Sequence, residues 1–279
     1  MIPLLRNARH RLLAENRLTR YLAYAVGEIV LVVVGILIAL QINNWSDTRK
    51  DRQKELVHLA NIRADLVANI AAMDRTLEVR TARIAAARRI LDHFNGKPIE
   101  DASAFNADGI GIYNWERFYL GDNSYQELVN SGNFALLRNH AIKDQLLDIQ
   151  ALYRRMKGEE DHYRFDTETA LYKPLYETMD TEALVADYEY AASGGRSGRK
   201  GAVDAATFEA YLRNRTLKNG FMMTILEYGT MNAQMEELRR RCRTLIEAID
   251  AKPSAVESAP QVFGRVTPVW PWYLPPRSL

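Results

Sequence analysis

The chain has 279 residues, 47% apolar and 26% charged, and 37 Lys and Arg nearly balance 35 Asp and Glu to leave a net charge of +2. That balance excludes a chain built wholly to hold nucleic acid, whose footprint would be strongly basic, and the apolar fraction excludes general disorder. A single cysteine, Cys242, excludes an intrachain disulfide framework and any cysteine-based zinc site.

Residues 1–20 form a basic N-terminal segment. From Tyr21 to Ile42 the sequence YLAYAVGEIVLVVVGILIALQI is apolar with one charge. As a helix rising about 1.5 Å per residue it spans about 33 Å, which matches the hydrocarbon thickness of a bilayer. A signal peptide would have a shorter apolar core and a small-residue cleavage site, whereas Gln41-Ile42-Asn43-Asn44-Trp45 follows here. Residues 21–42 are therefore expected to form a transmembrane helix, with Tyr21, Tyr24 and Trp45 at its interfaces. Arg6, Arg9, Arg11, Arg17 and Arg20 precede it with only Glu15 opposing, while Arg49, Lys50, Arg52 and Lys54 on the other side alternate with Asp47, Asp51 and Glu55. The positive-inside rule then favours a cytoplasmic N-terminus, with the remainder in the periplasm of a bacterium as a single-pass inner-membrane protein.

Glu28 is costly within this span. A step of 100° per residue places Tyr21, Tyr24, Gly35 and Ala39 within 40° of it. Gly35 with Ala39, and Ala23 with Gly27, are small-xxx-small pairs that let helix backbones approach. The expected site residues are thus Glu28, Gly27, Gly35 and Ala39, forming an association face with a carboxyl at its centre; the competing reading is a protonated or snorkelling Glu. Expected partners are membrane lipid and either a second copy of the chain or a partner membrane protein, with no nucleic acid.

Residues 43–252 read as one extracytoplasmic helical domain. Leu56, Leu59, Leu66, Ile70, Met73, Leu77, Ile84, Leu91 and Phe94 follow steps of three and four, broken at Arg63, Arg80 and Ala87. No Gly or Pro occurs between Gly35 and Gly96, so the membrane helix is expected to continue to about Phe94 and stop at Asn95-Gly96-Lys97-Pro98. Residues 99–122 lack a sustained period and read as a connection packed by Phe105, Tyr113, Trp115, Phe118 and Tyr119. A short helix over 124–130 should stop at Ser131-Gly132. Asn139 then caps a longer one with Ile142, Leu146, Ile149, Tyr153, Met156 and Tyr163 inward, ended or kinked at Lys173-Pro174.

Residues 193–201 read as a flexible loop. Asp204 should open a last helix running to about Ala251, with Phe208, Leu212, Met222, Leu226, Met235, Leu238, Leu245 and Ile249 inward and bends at Gly220 and Gly229. From Pro253 a tail over 253–279 carries six of the nine prolines and the aromatic cluster Val269-Trp270-Pro271-Trp272-Tyr273-Leu274. No strand alternation persists, so the expected fold is all-α: one transmembrane helix continuing into a long-helix antiparallel bundle.

The segment YLAYAVGEIVLVVVGILIALQINNW, preceded by LLAEN and followed by a charged helix, closely resembles the opening of a bacterial, Bacteroidota-type family of single-pass membrane-anchored proteins of unknown function. SYQELVNSGNFALLRN resembles a recurrent element of that family leading into a helix. The resemblance covers most of residues 1–252 and implies no activity, substrate or catalytic residue. The proline-rich tail departs from the family's pattern.

Two Glu-x-x-His pairs, Glu55 with His58 and Glu159 with His162, have the spacing of di-metal bundle ligands. With Ile142 at the centre of the inward face, however, Glu160 points inward and His162 to solvent, so surface pairs are expected and neither a metal nor a cofactor is. Residues 193–201 lack the spacing of a nucleotide loop. Arg239, Arg240, Arg241 and Arg243 flank Cys242 and would activate an exposed thiol; the simpler expectation is a helix stripe balanced by Glu236, Glu237 and Glu247. Two functions stay open. One is a non-enzymatic, membrane-tethered interaction or sensor-like module. The other is a membrane-bound enzyme with scattered catalytic groups. An apolar groove would favour the first and a polar pocket with converging carboxylates the second.

Overall fold

The computed structural model of the chain describes residues 17–114 and 117–251, with side chains described at Leu22 and from Ala25 onward. The side chains of Tyr21 and Tyr24, the basic segment before Arg17, Trp115 and the aromatic tail cluster lie outside the described residues. No strand occurs among those described, and the all-α expectation holds. Contacts divide the chain into two units, Met1–Val57 and His58–Leu279.

The first helix, α1 (Arg17–Phe94), continues from the apolar run to the stop expected from the absence of Gly and Pro. Asn95 bonds back to Leu91 and Gly96 takes φ 106°, a conformation that favours glycine. Its apolar portion has a mean hydropathy of 2.6 over 18 residues, none of it buried within the chain. This helix is long and apolar enough to cross a membrane.

Within the second unit α1 packs against α4 (His140–Thr167) and α8 (Arg215–Asp250). Pairs between Arg63 and Asp250, Asp74 and Arg239, and Arg83 and Tyr228 run α8 antiparallel to α1. Arg241 with Asp148 and Tyr163 against Tyr228 do the same for α8 and α4. The antiparallel expectation therefore holds for α8, while α1 and α4 run parallel. The return between them is made by α2 (Ala102–Tyr113), α3 (Asn123–Asn130) and a 3₁₀ turn (Asn133–Leu136). Helix α3 stops at Gly132, φ 73°, and the Asn139 side chain accepts from the backbone N–H groups of Ala141 and Ile142, as expected of a cap.

Several elements differ from the sequence expectation. Residues 102–113 are helical because Asp101 accepts from Ala104 N at 2.9 Å and tertiary packing carries the unfavourable Gly109 and Gly111. Phe105, Tyr113 and Phe118 are buried, but Tyr119 is exposed under the Lys157 ammonium. The helical path does not stop at Lys173-Pro174. It widens into a π turn (Glu168–Tyr172), in which Lys173 N–H bonds Glu168 O, and continues as α5 (Lys173–Thr178).

Helix α6 (Thr181–Ala192), capped by Asp180, has no counterpart in the expectation. The loop after it is held, since Arg199 N bonds Ala186 O at 2.8 Å. Asp204 accepts from Thr207 N at 2.8 Å beside a 3₁₀ turn (Ala206–Phe208) that leads into the four-residue α7 (Glu209–Leu212), and the last helix opens eleven residues after Asp204 under an Asn214 cap. Met222 and Leu226 are exposed, not inward.

The core falls into two large clusters. One is aliphatic and joins Leu59, Ile62, Leu66, Met73, Ile142, Leu146, Met235, Leu238, Cys242 and Leu245 along the three long helices. The other is ring-rich and joins Ile90, Phe105, Tyr113, Phe208, Tyr211 and Phe221 around the short elements. Arg80, one of the breaks in the α1 stripe, sits fully buried and pairs with Glu160 at 2.6 Å. Glu160 also accepts from Lys157 and from Phe118 N, so the charge is compensated.

Candidate functional site

The site begins with Asn106, 3% exposed on α2. Its amide Nδ2 donates to Leu184 O at 2.8 Å and to Asp187 Oδ2 at 2.9 Å, both on α6. Ser103 Oγ donates to the other oxygen of the same buried Asp187. These bonds tie α2 to α6 and leave Gly109, one turn further along α2, on the wall of a cleft of about 440 Å³.

The opposite wall comes from the π turn and α5. Helix α8 approaches the π turn so closely at Gly220 that a Cβ there would lie 2.6 Å from Leu171 Cδ2 and 3.0 Å from Ala170 O. This contact explains Gly220, for which a bend was expected. The extra residue in the turn turns Tyr172 and Tyr176 to the cleft, and the Tyr172 hydroxyl donates to Tyr113 O. Phe208 and Tyr211 close the third side, with Phe105 edge-on to Phe208 at 4.7 Å between ring centres.

The Tyr113 and Tyr211 hydroxyls meet at 3.0 Å. Burial raises the pKa of both phenols, so they stay protonated. Among the described residues, no Asp, Glu, Lys, Arg or His lines the cleft. Its chemistry is that of a binding site with ring faces, an amide and neutral hydroxyls. Beyond Tyr172 and Tyr176 a shallower depression does carry charge, from Glu168, Lys173 and Glu177.

The residues singled out in the sequence lie elsewhere. Glu28, Gly27, Gly35 and Ala39 are exposed along the apolar run of α1, and a Cβ at Gly27 or Gly35 would meet no atom within 4 Å. Nothing described within the chain accounts for these two glycines by packing. Contrary to the surface pair expected, Glu55 is buried beside Arg52, and His58 is buried and hydrogen-bonds Asn133 at 3.2 Å. His162 is exposed and Glu160 buried, as the helix geometry required.

His162 nevertheless joins a carboxylate pair that the Glu-x-x-His spacing did not indicate: His162, Asp166 and Glu227 each bring one ligand atom within 4.8 Å of the others. Burial first, then Asp166 and Glu159, push the Glu227 carboxyl up to about 7. Cys242 is buried, and burial pushes its thiol up to about 12. Its arginine neighbours pair outward, Arg239 with Asp74 and Glu236, and Arg241 with Glu237 and Asp148. They form a surface stripe and do not activate the thiol.

The fold and site define a helical protein with, among the described residues, one helix both long and apolar enough to cross a membrane and an aromatic cleft in its second unit. A family model described as a family of unknown function (DUF6090) matches residues 28–179, and the chain belongs to that family. The match runs from Glu28 through the π turn and α5; Thr181, Leu184, Phe208 and Tyr211, which complete the cleft, fall outside it. No curated protein and no solved structure matches the chain.

Proposed function

We propose that the protein is a membrane-tethered, non-enzymatic helical module that binds a ligand in its aromatic cleft and associates through the face carrying Glu28, Gly35 and Ala39. The observation that carries this reading is the cleft lining. Acid–base or nucleophilic catalysis needs groups that titrate or are activated near the working pH, and this wall offers amides and protonated phenols. The converging carboxylates that would favour an enzyme, Asp166 and Glu227, line no part of it.

The apolar run supplies the tether. Gly35 and Ala39 let a neighbouring backbone cover Glu28 and offer it a hydrogen bond that lipid does not. The basic segment before the run favours a cytoplasmic N-terminus and a periplasmic bundle.

Cell membranes carrying the full chain, washed with alkaline carbonate and then crosslinked, test the reading. The chain is expected to stay in the pellet and crosslink to itself or to a partner membrane protein. Gly35→Leu should weaken the crosslink through steric separation, while Glu28→Gln should largely retain it. Release by carbonate, or indifference to Gly35→Leu, would overturn the tether or the association face respectively.

A further inference from the structure

Resting on the cleft as a binding site, we propose that its ligand is an uncharged, ring-bearing molecule carrying a hydrogen-bond donor, an alcohol or N–H compound of hydrophobic body. Three observations on the wall fix this class. The first is the absence of Asp, Glu, Lys, Arg and His among the described lining residues, so a charged group entering between Phe105, Tyr113, Tyr172 and Phe208 would lose hydration without a partner among them. The second is the ring content, which offers faces and edges for stacking a planar or cyclic body. The volume of about 440 Å³ falls in the range of small-molecule pockets, about 300–1,000 Å³.

The third observation gives the polarity. Asn106 spends both amide hydrogens on Leu184 O and Asp187, which also settles which way its amide faces. Both of its side-chain bonds use Nδ2, which leaves Oδ1 as the open acceptor of a residue that lines the cleft although it is almost wholly buried. An acceptor held rigidly in this position calls for a donor on the ligand. The Tyr113–Tyr211 hydroxyl pair holds one hydrogen not used between them, so a ligand hydroxyl could also be donated to.

Gly109 allows the cleft to be filled without disturbing the fold. A Cβ there meets only Tyr113 Cε2, at an ordinary 3.8 Å. The full chain in lipid nanodiscs is irradiated with 4-(hydroxymethyl)benzophenone or with 4-benzoylbenzoate, which replaces the alcohol by a carboxylate on the same two rings. Mass spectrometry of peptides then locates the adducts and separates cleft labelling from labelling of the apolar run.

The alcohol is expected to label peptides bearing α2 and Tyr172–Tyr176, and the carboxylate about tenfold less, given the cost of burying an unpaired charge. Gly109→Leu should abolish most of the cleft adduct. Tyr176→Ala, at the exposed rim, should lower it with no demand on folding. Equal cleft labelling by the carboxylate would overturn the uncharged class while leaving the cleft a binding site. Absence of cleft adducts with both probes, or an adduct indifferent to Gly109→Leu, would overturn the binding site itself.

Discussion

The two core clusters of the second unit are built from the same chain by different rules. The aliphatic one lies where three long helices run side by side. Leu, Ile and Met at steps of three and four fill the space between them, down to Met73, Met235, Leu238 and Leu245 with no exposure. The ring-rich one lies where short elements meet the end of α1, and wide, flat side chains held apart by hydrogen bonds such as Asn106–Asp187 leave a cleft. Periodicity therefore produces close packing, and the irregular elements produce the usable space. Arg80 and Glu160 lie between the two, where the α1 stripe is interrupted.

The sharpest way to break that comparison is at the interruption. Glu160→Ala would leave Arg80 buried with no hydrogen-bond acceptor, at a cost of about 4 kcal/mol in denaturant unfolding. The double variant Arg80→Met with Glu160→Leu should recover part of the loss, because the buried guanidinium is gone, while Lys157 and the Phe118 N–H still lose the acceptor that Glu160 gave them. A small effect of the single variant would mean that solvent reaches the pair. Next in size, Leu238→Ala in the aliphatic cluster should cost about 3 kcal/mol. Leu184→Ala, on the cleft wall, should cost less, since part of its side chain already faces open space. Equal losses would show that both regions pack alike.

Glycines on one helix sharpen the contrast further. Gly220→Ala drives a methyl into Leu171 and Ala170 O and should cost about 2 kcal/mol. Gly229→Ala meets nothing within 4 Å and should raise stability by up to about 1 kcal/mol. Thermal melts of the two variants are expected to shift in opposite directions.

The smallest expected effect is a pH dependence at Glu227. Its carboxyl is raised in the folded chain from 4.5 to about 7, so the folded state holds a proton that the unfolded state releases. Stability from this group therefore falls as pH rises from about 4.5 and levels off above about 7. His162, Asp166 and Glu159 face the same group, so the contribution is read as the difference between parent and Glu227→Gln. The variant should have the higher midpoint at neutral pH and a flatter pH profile across that window. Parallel profiles would show that burial and Asp166 do not hold the proton there.

What could be read in the sequence follows the same division. The stop at Asn95-Gly96, the Asn139 cap and most of the aliphatic stripe were legible because each is local or periodic. Arg80 and Ala87 looked like breaks and are buried instead, since a charged residue enters a core only where a distant partner, here Glu160, awaits it. Helix α2 was hidden by Gly109 and Gly111, and α6 by its lack of a strong apolar face. The Tyr172-x-x-x-Tyr176 spacing was a visible signal, but only the π turn shows what it faces. The cleft depends on α2, α5, α6 and α7 meeting across long separations, which no local pattern records. The face proposed around Glu28 is the reverse case, suggested by spacing on one helix, and among the described residues no side chain packs over its glycines.

The central claim is that the aromatic cluster borders space of ligand size, about 440 Å³, whereas the aliphatic cluster leaves only about 20 Å³ beside Ile62, Leu66 and Leu146. Thermal denaturation of the full chain in lipid nanodiscs, comparing the parent with Gly109→Leu without ligand, tests it most directly. A leucine entering existing space, at a helical site where it also replaces the poor helix former glycine, should leave the midpoint equal to or above the parent. A fall matching the 1–3 kcal/mol typical of an overfilled core, about what the Gly220→Ala contact should cost, would show that the cleft is closed in the working protein.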